Sequence, residues 1–270
     1  MKMKLRITTS MENTAGVPGL LSEWGLSFLV ETEEKVILFD TRYSLTASHN
    51  TNNLSADLKQ VDKIVLSHGH YDHTDGLRQI LCRIKKEVKV IAHPDIWTAK
   101  YHRRKKEKDK YVGIPFQRKE LENLSARFSL TPKPLNIADN IITTGEVPVV
   151  TDYEKTDSML FAKEDSGWQL DKLLDDISLI ITTELGLLVM LIYAHHGIIN
   201  TLYHTQQLTG VKRIHAILGS AHLISASRER VQLTIAALKG LDVQRLDPSH
   251  YTSLQLLFNN TDTIVDPLKE

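Results

Sequence analysis

The chain has one cysteine, Cys82, among its 270 residues, so no disulfide can form within it. This favours a reducing compartment, and we expect a cytoplasmic protein. No stretch reaches the roughly 18 uncharged apolar residues that span a membrane, and no apolar leader is evident. The formal net charge is zero, so nothing attracts the whole chain to nucleic acid or to an anionic membrane. We therefore expect no nucleic-acid or membrane partner, and the oligomeric state is left open.

What is present is typical of a soluble globular protein, with 41% hydrophobic and 24% charged residues. Short apolar stretches alternate with segments of helical periodicity, which predicts an α/β fold. Residues 74–86 form one predicted helix, with Cys82 expected in the core. We expect a single domain over residues 1–270. A charged insertion or lid is expected near residues 97–118, where lysine and arginine are frequent.

Residues 67–73 read Ser-His-Gly-His-Tyr-Asp-His and follow an apolar strand predicted at 61–66. Imidazole is a ligand for zinc and iron, and a carboxylate adds manganese to the possible metals. We expect His68 and His70 to bind one ion, and Asp72 and His73 to bind a second. Zinc is the expected metal, with manganese or iron as alternatives. Paired ions of this kind recur in hydrolytic enzymes.

These residues resemble a known family. The segment His68–His73 matches the HxHxDH signature of the metallo-β-lactamase superfamily, and Phe39-Asp40-Thr41 is similar to a second hallmark upstream. The resemblance implies an α/β fold of the αββα four-layer sandwich type. It also implies that Asp40 orients the histidine segment through hydrogen bonds.

Most of the chain, from about residue 10 to 258, is similar to one subgroup. That subgroup includes the dihydropterin–ribofuranosylaminobenzene 5′-phosphate synthases of methanopterin biosynthesis. The matching segments include residues 23–28, 113–115, 144–148, 175–176, 194–201, 219–223 and 250–252. The chain departs from the subgroup at Arg42 and Asp75, where glycine is usual, and at Tyr193 and Tyr251, where cysteine is usual.

The resemblance adds further candidates for the site. His195 and His250 are expected metal ligands. His222 could be a ligand, could support one, or could contact substrate. Glu146 could be a ligand, an acid or base, or an ordinary turn carboxylate. Arg42 could contact an anionic substrate, and a helix beginning near residue 197 could bind a phosphate at its amino end.

Three functions follow. The first is a metal-dependent hydrolase that uses a metal-activated water, with Asp72 as the catalytic residue, acting on a phosphorylated small molecule. The second, implied by the subgroup, is a transferase that forms a carbon–nitrogen bond on a dihydropterin diphosphate. The third is a ligand-binding protein that has lost catalysis.

Overall fold

A computed structural model describes residues 4–42, 49–51, 53–54, 56–224 and 226–249. Within these residues the strands are β1 (Arg6–Met11), β2 (Ser27–Glu31), β3 (Val36–Phe39), β4 (Lys63–Val65), β5 (Val88–Ala92), β6 (Ala99–His102), β7 (Lys110–Tyr111), β8 (Ala126–Leu130), β9 (Asn136–Ala138), β10 (Ile141–Thr143), β11 (Leu160–Glu164), β12 (Gly167–Leu170), β13 (Leu179–Thr183), β14 (Gly186–Leu191), β15 (Ile214–Gly219) and β16 (Arg245–Pro248).

Among the described residues, the helices with defined bounds are α1 (Tyr71–Thr74), α2 (Leu77–Ile84), α3 (Arg118–Asn123), α4 (Ile198–Thr209) and α5 (Arg228–Gly240). Residues 49–51 are also helical. Two short 3₁₀ turns occupy Leu58–Gln60 and Pro94–Trp97. The α/β class predicted from the alternating pattern is confirmed. The carboxyl-terminal helix predicted at 252–258 lies outside the described residues.

The chain divides into two compact units. The first comprises Met1–Pro132 and Asp157–Asp175, and the second comprises Lys133–Thr156 and Asp176–Glu270. The prediction of a single domain over 1–270 stays a prediction.

The first unit contains a six-stranded sheet in the order β1-β2-β3-β4-β5-β8. Its first three strands pair antiparallel, and β3, β4, β5 and β8 run parallel. Helix α2 has its apolar residues on one face, and all of them are buried in the core of this unit: Leu77, Ile80, Leu81 and Ile84. Cys82 lies on the opposite face and is exposed, so its predicted core position is wrong.

The charged segment contributes to a second sheet of the first unit, in the order β12-β11-β6-β7. Residues 104–110 are exposed, as a charged insertion predicts. Lys100 is different, since only 1% of its surface is accessible. Strand alternation turns its side chain inward. The charged insertion or lid expected near residues 97–118 stays a prediction.

The second unit contains a six-stranded sheet in the order β16-β15-β14-β13-β10-β9. The strands β14, β15 and β16 are parallel, and the others pair antiparallel. Helices α4 and α5 contribute Leu202 and Ile235 to a core that includes Leu187, Val189 and Leu191 of β14. The sequence of residues 242–245 predicts a short strand, whereas β16 begins at Arg245.

Candidate metal site

The candidate site of the first unit is built where two parallel strands end. Asp40 follows β3, and the segment Ser67–His73 follows β4. Because the strands are parallel neighbours, their carboxyl ends lie at the same edge of the sheet. Asp40 has a φ of 61°, an uncommon conformation for a residue with a side chain. Such conformations persist where the surrounding structure enforces them, and they cluster at functional sites.

The carboxylate of Asp40 organises the histidine segment. It is fully buried. One oxygen accepts a hydrogen bond of 2.6 Å from the backbone N–H of Ser67, and the other accepts one of 2.7 Å from the Ser67 hydroxyl. That second oxygen also lies 2.9 Å from Nδ1 of His73. The orienting role that the resemblance implies for Asp40 has a direct geometric basis in these bonds.

These bonds also determine which ring nitrogens carry protons. A carboxylate only accepts hydrogen bonds, so Nδ1 of His73 donates to Asp40. The Ser67 hydroxyl donates its one hydrogen to Asp40. Its oxygen therefore accepts a hydrogen bond from Nδ1 of His68, which lies 2.8 Å away. In both neutral rings Nε2 therefore carries the lone pair, and a lone pair is what a metal ligand needs.

The rings of the segment lie close together. The centroid of His68 is 4.7 Å from that of His70 and 4.3 Å from that of His73. One ligand atom from each of Asp40, His68 and His73 lies within 4.8 Å of the others. All three histidines are buried.

Burial shapes the protonation of these rings. It lowers the pKa of His70 to about 3, which keeps the imidazole neutral and able to coordinate a metal. Burial also acts to lower the pKa of His73, but the carboxylates of Asp72 and Asp40 outweigh it and raise that pKa. The Asp72 carboxylate lies 3.7 Å from Nε2 of His73. Three imidazoles and a carboxylate, two of the rings with defined tautomers, fit a zinc, manganese or iron ion.

Arg42, a predicted substrate contact, lies beside this segment but is already paired. Its guanidinium binds the carboxylate of Asp75 and lies 3.1 Å from that of Glu23. Its side chain is only 14% exposed. Two carboxylates around one guanidinium leave no excess positive charge here to attract an anion. The role of Arg42 as a substrate contact stays a prediction.

In the second unit, two candidate histidines share one aromatic cluster. The ring of Tyr193 stacks on that of His195 at 4.2 Å and lies 4.5 Å from that of His222. Ala194 and His222 follow β14 and β15 with φ values of 51° and 48°. The structure thus brings His195 and His222 together at the ends of parallel strands, around one of the tyrosines that depart from the subgroup.

The other candidates have varied surroundings. His196, whose place beside His195 predicts an ordinary solvent or packing histidine, donates its backbone N–H to Asp176 at 3.0 Å, and its side chain is buried. Glu146 is exposed. His250 lies outside the described residues. The ligand roles proposed for His195, His222, Glu146 and His250 stay predictions.

The phosphate-binding role predicted for the helix after residue 197 is wrong for the structure described. The buried carboxylate of Glu154 accepts hydrogen bonds from the backbone N–H groups of Ile199 at 3.0 Å and Asn200 at 2.8 Å. Gly197, with a φ of 97°, passes so close that a Cβ there would lie 2.2 Å from Glu154. The chain therefore supplies its own anion to this helix end.

Sequence reasoning also missed two residues of the first unit. The sequence assigns no role to Ser67, although this residue links Asp40 to His68. The charged run of residues 100–110 predicts a solvated segment, although Lys100 is buried between Asp171 and Asp175. The position of Ser67 at the strand end is a usable signal, whereas no local pattern marks Lys100.

Among the described residues, no helix has the length and apolar character needed to cross a membrane.

Comparison with known proteins identifies the family of this chain. Residues 25–198 match the model of the metallo-beta-lactamase superfamily. The chain is 33% identical over 260 residues to the 7,8-dihydropterin-6-methyl-4-(beta-D-ribofuranosyl)-aminobenzene-5′-phosphate synthase of Methanocaldococcus jannaschii, covering 93% of this chain and 88% of that protein. It is 31% identical over 247 residues to an uncharacterized protein of the same organism, MJ0448, covering 92% and 90%.

A solved structure, the metal-dependent hydrolase Tm1679 of the beta-lactamase superfamily, has the same fold. It superposes with a TM-score of 0.79 at 23% identity, covering 94% of this chain and 91% of the other. This likeness and the family match confirm the predicted αββα fold class, and the relatives confirm the predicted subgroup. The chain belongs to the metallo-beta-lactamase superfamily.

Proposed function

We propose that this protein is a metal-dependent enzyme whose segment Ser67–His73 binds zinc, with manganese or iron as alternatives. The observation that carries the proposal is the hydrogen-bond chain from Asp40 through Ser67 to His68, and from Asp40 to His73. It fixes both rings with Nε2 as the coordinating atom, before any ion is bound. Preorganised ligands of this kind favour tight metal binding, because little ordering remains to be done when the ion arrives.

The residues have distinct parts in this proposal. His68 and His70 would hold one ion through their imidazoles, and Asp72 and His73 would hold a second. Asp72 is 9% exposed, so its carboxylate can reach both solvent and the site and can take up or deliver a proton. The bound metal would supply a Lewis acid and lower the pKa of a water molecule. The reaction class that this chemistry favours is hydrolysis of a small molecule at a carbonyl or phosphoryl centre.

A second reaction is favoured by a separate observation, the 33% identity over most of both chains to the synthase from Methanocaldococcus jannaschii. We propose as its form a carbon–nitrogen bond-forming transfer. The nitrogen of an arylamine attacks the methylene carbon of a dihydropterin diphosphate, the carbon–oxygen bond to diphosphate breaks, and the amine loses a proton. In that reaction Asp72 would accept the proton, and a metal held by the segment Ser67–His73 would supply positive charge for the diphosphate oxygens.

The first experiment is metal content per chain, measured by plasma mass spectrometry on protein purified without a chelator or a histidine tag. About two equivalents of zinc, manganese or iron support a paired site, which the sequence predicts. About one equivalent supports a single-ion enzyme. No metal, even after reconstitution with each ion, contradicts the proposal and favours a ligand-binding protein without catalysis.

The second experiment separates the two reactions. Metal-loaded protein is incubated with a dihydropterin diphosphate, with and without an arylamine that carries a ribosyl phosphate, and pyrophosphate release is measured. Release only when the amine is present supports the transferase. Release without the amine supports hydrolysis. With neither, screens of phosphoesters and lactones test the hydrolase further, and turnover lost in the variant His68→Ala ties any activity to the site.

A further inference from the structure

One lysine of the charged segment is buried inside the first unit. Lys100 lies on β6, and only 1% of its surface is accessible, while its neighbours from Arg104 to Lys110 are exposed. Burying an ammonium group is costly unless charged partners surround it. The neighbours of Lys100 therefore indicate what its burial serves.

Two carboxylates surround this ammonium. Nζ of Lys100 lies 3.0 Å from Oδ2 of Asp171 and 2.9 Å from Oδ1 of Asp175. Both aspartates are buried. Burial acts to lower the pKa of Lys100, but the two carboxylates outweigh it and raise the pKa. The lysine thus holds both carboxylates in place with charge-assisted hydrogen bonds.

The two carboxylates differ in what else they bind. The second oxygen of Asp171 accepts from the backbone N–H of Leu173 at 2.8 Å, a contact within its own loop. The second oxygen of Asp175 accepts from the backbone N–H of Gly69 at 2.7 Å. Gly69 is the residue between His68 and His70. One carboxylate therefore joins the buried lysine to the backbone of the candidate metal site.

The fit around Gly69 leaves little room for movement. A Cβ at this position would lie 2.6 Å from the carbonyl oxygen of Ile96 and 3.2 Å from Oδ2 of Asp175. The first of these distances involves backbone, so a side chain there would force the segment to shift. The glycine allows the carboxylate and the backbone of the 3₁₀ turn to enclose the segment from two sides.

We propose that Lys100 and Asp175 are positioning residues, which set the backbone between His68 and His70 so that the two imidazoles meet one metal ion. The inference rests on the proposed function, since it assumes that the segment binds metal. Asp175 acts through the N–H of Gly69, and Lys100 acts through Asp175 by fixing its carboxylate.

The chain offers a matched pair of variants. Asp175→Ala and Asp171→Ala each remove one carboxylate from Lys100 and one hydrogen bond to a backbone N–H. Only Asp175→Ala removes the bond to Gly69. Each variant and the wild type are loaded with cobalt(II), and three properties are measured: the visible absorption spectrum of the metal, zinc affinity by competition with a chromophoric chelator, and the midpoint of thermal unfolding.

We expect Asp175→Ala to bind zinc about 10–100-fold more weakly and to change the cobalt spectrum. We expect Asp171→Ala to change both much less, even where its unfolding midpoint falls as far. Gly69→Ala should reproduce the spectral change through a steric route. If Asp175→Ala does not fold, Asp175→Asn, which keeps the shape and one acceptor oxygen, should show a smaller loss of affinity in the same direction.

Two results would overturn the inference. One is a cobalt spectrum and a zinc affinity of Asp175→Ala, or of Asp175→Asn, equal to those of wild type. The other is an equal loss of affinity in the Asp171 and Asp175 variants, which would mean that the cluster contributes only stability. Failure of the proposed function is distinguished by the wild type, which in that case would bind neither cobalt nor zinc.

Discussion

Arg42 and Asp75, 33 positions apart in the chain, form an ion pair beside the candidate metal site. The resemblance to the subgroup implies glycine at both positions, and in this chain the two side chains pair with each other. Burial and a neighbouring like charge raise the pKa of Asp75 to about 6, while Arg42 acts to lower it. Glu23 completes the cluster and joins the segment before β2 to it.

This pairing predicts that the two substitutions are energetically coupled. Arg42→Gly should destabilise the fold, because Asp75 and Glu23 lose the cation that they share, and Asp75→Gly should destabilise it less, because Arg42 keeps Glu23. The double variant should lose less than the sum, with a coupling energy of about 1–2 kcal/mol. Denaturant unfolding of the four proteins measures this energy. Strict additivity would show that the pair is incidental.

The histidine segment predicts a loss of bound metal when one of its imidazoles is removed. His68→Ala and His70→Ala should each reduce bound metal well below the wild-type amount and abolish any metal-dependent turnover, because each removes an imidazole from a small set of ligands. Plasma mass spectrometry of the purified variants measures the metal. The control is His49→Ala, an exposed histidine whose ring contacts the carbonyl of Gly19. Full metal content in both site variants would exclude the segment as the binding site.

The hydrogen bonds of Asp40 predict a partial loss of zinc affinity when this residue is replaced. In Asp40→Asn an amide group replaces one acceptor oxygen, so either Ser67 or His73 meets a donor in place of an acceptor. We expect zinc affinity to fall about 10–100-fold, although no metal ligand is removed. The matched control is Asp62→Asn, because Asp62 also accepts from a backbone N–H, that of Val36, at 2.9 Å. Equal affinities in the two variants would contradict the orienting role of Asp40.

Glu154 predicts a pH dependence of stability. Burial raises its pKa above the ordinary value of 4.5, although two backbone N–H groups act in the opposite direction. Between 4.5 and the raised pKa the folded state keeps a proton that the unfolded state has lost, so the free energy of unfolding decreases as pH rises through that window. Glu154→Gln, which resembles the protonated form, should lack this decrease.

The measurement is the difference in thermal midpoint between wild type and Glu154→Gln from pH 4 to pH 8, since a difference cancels the groups that titrate in both proteins. The wild type should lose stability relative to the variant as pH rises. A difference that changes in the opposite direction would mean that the hydrogen bonds to Ile199 and Asn200 outweigh burial.

Much of the fold follows from local pattern. The apolar strand before Ser67 and the amphipathic face of α2 are short-range signals, and the structure forms β4 and α2 at these places. The ligand cluster is also local, because His68, His70, Asp72 and His73 lie within six positions. Their proximity needs only a strand that ends before them.

What the sequence could not reveal depends on contacts between distant segments. The bond from Gly69 to Asp175 spans 106 positions, and the bond from Asn200 to Glu154 spans 46. A charged segment gives no sign that its first lysine points inward, since that depends on which face of β6 meets the core. The phosphate site predicted at the helix after residue 197 is wrong for the same reason. The carboxylate that accepts hydrogen bonds from that helix end belongs to Glu154, in another part of the chain.

The carboxylate of Glu154, which accepts hydrogen bonds at the amino end of helix α4, also offers a way to classify relatives of this protein. A relative with an acidic residue at the position of Glu154 already neutralises that helix end from within, and it must take the anionic part of any substrate elsewhere. A relative with a small neutral residue there would present bare N–H groups to a phosphate. The identity of this one residue, far from the histidine signature in sequence, therefore predicts which members of the subgroup carry a phosphate subsite at this helix.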